Sequence, residues 1–109
     1  MLEVVAENST YVLTVAFLDR NGMPATPSSA TYRIDEATME GDEDAEILAD
    51  TNISGLASSV ELTITPAQNA IVNDWKPFEE RVVTVTATYG VNDVKVDQYP
   101  YRVRNLRFV

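Results

Sequence analysis

Residues 59–65 read Ser59-Val60-Glu61-Leu62-Thr63-Ile64-Thr65, an unbroken alternation of aliphatic and polar side chains. Successive side chains of a strand point to opposite faces, so Val60, Leu62 and Ile64 share one face and Glu61, Thr63 and Thr65 the other. A helix, with about 3.6 residues per turn, would scatter the same aliphatics around its axis. The stretch is therefore a strand with one buried and one wet face, and its register is strongly specified.

Moving toward the C-terminus, Thr65-Pro66-Ala67-Gln68 places a capping hydroxyl, a proline at the first helical position and a glutamine three residues after the cap. That is a capping box, and it predicts one or two helical turns running to about Val72. Glu80 to Tyr89 follows as a central strand with Val83, Val85, Ala87 and Tyr89 in one phase and Thr84, Thr86 and Thr88 in the other. Gly90 to Asp93 closes a hairpin. The last strand starts at Val94, and its apolar residues change phase from Val94 and Val96 to Tyr99, Tyr101 and Val103, which predicts a bulge near Asp97 or Gln98. Pro100 donates no ladder hydrogen bond, so this strand lies at an edge or breaks there.

Toward the N-terminus, Ala30 to Asp35 alternates Tyr32 and Ile34 against Thr31, Arg33 and Asp35. Thr10 to Leu18 carries Tyr11, Leu13, Val15 and Phe17 on one face, and Glu3 to Asn8 is a first short strand. Asp19-Arg20-Asn21-Gly22 has turn chemistry, and Pro24 and Pro27 keep the connection to the next strand extended. A short edge strand, Glu46 to Ala49, sits within an acidic, solvated stretch that begins at Asp35 and Glu36. Seven strands with one short helical turn between the fifth and sixth predict an all-β fold, an immunoglobulin-like two-sheet Greek-key sandwich. The antibody hallmarks of a cysteine pair and a core tryptophan are absent, which leaves a small open barrel as the alternative. A length of 109 residues predicts a single domain over 1–109.

Composition removes most chemistry. The chain has no histidine and no cysteine, which takes away the commonest general base, the thiolate nucleophile and the commonest transition-metal ligands. Glu79-Glu80 is the obvious carboxylate pair, but adjacent strand residues face opposite ways and cannot share a substrate. The glycines, Gly22, Gly41, Gly55 and Gly90, stand singly at turns and form no phosphate loop. No enzyme and no cofactor is expected. A net charge of −9 repels nucleic acid and anionic lipid, and no apolar run reaches the length of a membrane span, so neither is an expected partner.

The remaining candidates are contact residues. Asp42, Glu43 and Asp44 form the centre of the acidic stretch, which reads as a solvated loop or a docking surface for a basic partner. Asp42, Asp44 and Glu46 also alternate like oxygen ligands, yet the sixth-place glycine and closing glutamate of a calcium loop are missing. Trp75, with Pro77 and Phe78, makes an apolar patch that either caps one end of the sandwich or touches another chain. Arg102 and Arg104 alternate with Tyr101 and Val103 and face solvent, and with Lys95 and Arg107 they hold half of the eight basic residues. They either discourage strand addition at an edge or meet the acidic stretch of a neighbouring copy or partner.

Four segments taken together carry a family likeness: Tyr32-Arg33-Ile34-Asp35; Val60 to Ala67 with Asn69-Ala70-Ile71; Glu79-Glu80-Arg81 before Val83-Thr84-Val85; and Tyr99-Pro100-Tyr101-Arg102-Val103-Arg104-Asn105-Leu106. They resemble the small Ig-like virion structural and accessory proteins of tailed bacteriophages and prophages, over roughly Ala30 to Leu106. Relative to that pattern, Gly41 to Glu46 looks like an insertion. The resemblance implies a non-enzymatic virion protein that binds capsid, neck or tail subunits as a decoration or head-tail accessory component. It would be present in multiple copies, self-associated or not, and would pass from host cytoplasm to virion. The alternative is a carbohydrate or cell-surface binding module of a phage appendage.

Overall fold

The computed structural model describes residues 3–36, 45–71, 77–91 and 93–106. Its elements run β1 (Glu3–Ala6), β2 (Tyr11–Ala16), β3 (Ser29–Glu36), β4 (Ala45–Asn52), β5 (Ser59–Ile64), a 3-10 turn (Ala67–Asn69), β6 (Phe78–Gly90) and β7 (Asp93–Arg104). They build two sheets, a large one of order β1-β7-β6-β3-β4 and a small one of β2 and β5. The chain changes sheet between β1 and β2, β2 and β3, β4 and β5, and β5 and β6, so β2 pairs β5 rather than its neighbour in sequence. This is the Greek-key connectivity of an immunoglobulin-like sandwich. No ladder joins the two sheets among the described residues, so the barrel alternative falls.

The core lies where the alternating faces meet. Leu13, Val15 and Phe17 from the β2 side, Leu62 and Ile64 from β5, Ala30 and Ile34 from β3, Val83, Val85 and Ala87 from β6, and Tyr101 and Val103 from β7 are all buried. Each large aliphatic among them gains about 1.5–3 kcal/mol from leaving water. The capping box forms as its residues dictate: the Thr65 N–H donates to Gln68 Oε1 at 2.9 Å and the Gln68 N–H donates to Thr65 Oγ1 at 3.3 Å. The turn it starts is short, because Ala70 is already extended.

Three expectations need correction. No bulge interrupts β7 near Asp97 or Gln98; its pairing with β6 runs in one register from Val94 to Arg104, and the irregularity falls at the hairpin, between Thr88 and Gly90. The phase change in apolar residues has another cause. Val94 and Val96 point outward and are more than half exposed. Lys95 and Asp97 take the inward phase and approach each other at 3.9 Å. Glu36, expected in the solvated loop, is the buried last residue of β3, in phase with Ile34. Arg33, which precedes the acidic stretch in sequence, pairs with Asp35 at 2.9 Å and with Glu46 at 3.6 Å. Finally, β4 is longer than Glu46 to Ala49, though it is the edge strand expected.

Pro100 behaves as its chemistry demands. β1 runs parallel to β7 and, among the described residues, pairs with Tyr101 to Arg104, so Pro100 stands just beyond the described part of that ladder.

Candidate functional site

The outward phase of β6 and β7 brings Phe78, Arg102 and Arg104 together. Pairing places Phe78 opposite Arg104 and Glu80 opposite Arg102, while β1 lays Val4 beside Arg102. Arg102 Nη2 donates to Glu80 Oε1 at 3.2 Å, and the Arg102 guanidinium carbon stands 5.9 Å from the centre of the Phe78 ring. Both charged side chains of that pair are 44% exposed, so the bond is weak and readily exchanged. Arg104 with Val4, Pro77, Phe78 and Asn105 lines an open groove of about 230 Å³. Val4 is 51% exposed and Phe78 37%.

Chemically the patch is an aliphatic and aromatic floor with the Arg102 guanidinium over the Phe78 ring and Arg104 lining the groove beside it. Arginine and aromatic side chains carry much of the energy at protein contacts, and a fork of N–H donors suits carboxylates. The site is held rigidly because each side chain comes from a paired strand. Asn105 adds to this: it is buried, and its N–H donates to the Pro77 carbonyl at 2.8 Å, tying the end of β7 to the start of β6. The N–H of Leu106 donates to Glu7 Oε1 at 2.8 Å.

Of the other residues singled out from the sequence, Trp75, Asp42, Glu43 and Asp44 lie outside the described residues, as does Arg107. Two members of the patch escaped sequence reasoning. Glu80 could have been placed by counting back along both strands from the Gly90 to Asp93 hairpin, which lands within one residue of Arg102. Val4 had no such signal, since a parallel pairing between the two ends of the chain leaves no local pattern.

On the inner side of the same strands lies a second polar group that the sequence did not announce. Glu79 and Arg81 are fully buried and meet at 2.6 Å. Arg81 also donates to the carbonyls of Gln68 and Ala70, both at 2.8 Å, so it fastens the 3-10 turn to the large sheet. Tyr101 donates to Asn69 Oδ1 at 2.7 Å, and Asn69 Nδ2 donates to the Ser9 carbonyl at 2.8 Å. Tyr11 stacks on Tyr101 with ring centres 4.7 Å apart. Burial pushes the Tyr101 hydroxyl up to about 12, although Arg81 nearby pulls the other way. The network is closed to water and ties the turns at one end of the sandwich to its core.

Among the described residues, no cluster of three or more acidic side chains could hold a metal ion. The first two positions of the calcium-like alternation, Asp42 and Asp44, lie outside those residues, and Glu46 is engaged by Arg33. Comparison of the chain with protein families, with curated proteins and with solved structures finds no match.

Proposed function

We propose that this chain is a non-enzymatic structural protein of a tailed-bacteriophage particle, binding capsid, neck or tail subunits in multiple copies. The observation that carries the reading is the outward patch of Val4, Phe78, Arg102 and Arg104. It is preformed on three paired strands and combines exposed apolar surface with arginine donors. Such a patch binds another protein with little ordering cost, because its backbone is already in place. The likeness of residues 30–106 to small virion proteins supplies the kind of partner.

The test is to locate the protein in purified particles of the phage that encodes it, by electron microscopy with a labelled antibody. The reading expects label at a fixed place on the particle. Particles that lack the protein while it accumulates in the lysate would end it. A double variant, Arg102→Ala with Arg104→Ala, should fold normally and enter particles at reduced copy number; normal incorporation would remove the patch from the proposal.

A further inference from the structure

Among the described residues the small sheet has two strands and therefore two open edges, and the two are not alike. In the β2–β5 ladder the Phe17 N–H donates to the Ser58 carbonyl at 2.8 Å. Alternation along an antiparallel pair then turns the N–H and C=O groups of Tyr11, Leu13 and Val15 toward β5, and those of Val12, Thr14 and Ala16 toward the open edge. Among the described residues nothing pairs with β2 on that side until Leu18 bridges Pro24 and the Ala25 N–H donates to the Phe17 carbonyl. Val12, Thr14 and Ala16 are also exposed on their side-chain face.

Natural sheets protect such edges with charge or proline, and this protein does so elsewhere. β1 has Glu3, β4 has Glu46 and Asp50, β5 has Glu61, and the free part of β7 has Lys95, Asp97 and Pro100. β2, reading Tyr-Val-Leu-Thr-Val-Ala, has neither, in a chain that is 23% charged. It is also self-complementary. An antiparallel copy centred on Thr14 sets Thr14 opposite Thr14 and Val12 opposite Ala16, matching each free N–H to a free C=O and bringing no like charges together. Threonine pairs and β-branched pairs are favourable across a ladder.

We propose that β2 is the edge through which two copies of this chain associate, antiparallel about a two-fold axis at Thr14, joining their small sheets into one of order β5-β2-β2-β5. Because each copy carries a net charge of −9, the dimer tightens as salt screens their repulsion.

The experiment is sedimentation equilibrium of the full chain across a concentration and salt series, alongside amide hydrogen exchange. Wild type and Thr14→Val, which keeps an uncharged β-branched residue, should dimerise alike. Thr14→Lys should weaken the dimer by roughly tenfold or more, since it sets two ammonium groups face to face at the axis. That result separates edge pairing from general repulsion, because the lysine brings the net charge closer to zero and would otherwise strengthen association. Thr63→Lys, on the exposed face of β5, should leave the dimer intact. The amides of Val12, Thr14 and Ala16 should gain protection with concentration. A wild type that stays monomeric at millimolar concentration in high salt, or a dimer indifferent to Thr14→Lys in a variant whose circular dichroism is unchanged, overturns the proposal.

Discussion

Neighbouring glutamates on β6, Glu79 and Glu80, each pair with an arginine and have opposite surroundings. Glu79 with Arg81 is sealed inside at 2.6 Å, with side chains 1% and 0% exposed, whereas Glu80 with Arg102 lies on the outer face at 3.2 Å, each side chain 44% exposed. The residue types are the same; strand alternation alone sends one pair into the core and the other into water. Outside, the pair is screened, exchangeable and worth little. Inside, the pair is shielded from solvent, so removing one partner takes a short, unscreened contact away from a buried charge.

The comparison can be broken most severely on the inner face of β6. Val85→Asp buries a charge with no partner among the core residues, so the domain should fail to fold, seen as loss of the cooperative thermal transition. Unchanged melting would mean that this strand is not central. Arg81→Ala comes next: it removes the buried guanidinium that pairs with Glu79 and donates to the carbonyls of Gln68 and Ala70, an expected loss of about 3–5 kcal/mol in denaturant unfolding.

Tyr101 sharpens the contrast through pH. Its hydroxyl is raised from an ordinary 10.0 to about 12, first by burial. The folded chain therefore keeps a proton that the unfolded chain releases. The associated stability is whole below pH 10 and is lost as pH climbs toward 12. Tyr11, Tyr89 and Tyr99 are raised too, so the alkaline loss is shared. Tyr101→Phe isolates one part: it should flatten the decline while costing about 1–3 kcal/mol at neutral pH, because Asn69 Oδ1 loses its donor. The smallest effect belongs outside. Arg102→Ala should change stability by under about 1 kcal/mol, and by less at high salt. A loss as large as that of Arg81→Ala would show that the outer pair is structural and not free to meet a partner.

Much of this was legible in the residues. Period-two runs located the strands, since alternation is imposed by the pleat wherever one face is wet, and Thr65 to Gln68 announced its turn because a capping box is a local hydrogen-bond pattern. The outward placing of Arg102 and Arg104 followed from their phase against Tyr101 and Val103. Pairing between distant strands was a different matter. Val4 joined the patch through a parallel ladder between the first and last strands. Val94 and Val96 looked like core until the strand proved to keep one register. Glu36 was read by its charge, although its phase with Ile34 placed it inside, and Arg81, in phase with Val83 and Val85, was not singled out.

The order of polar and apolar side chains thus decided, without help, that this chain is a β-sandwich with a hydrophobic interior, because that order acts over neighbours a few residues apart. Only the tertiary structure decided which edges stay open, which ions are buried, and which side chains from β1, β6 and β7 share a surface. Those outcomes depend on contacts between segments separated by most of the chain, and no local pattern carries the energy of such contacts.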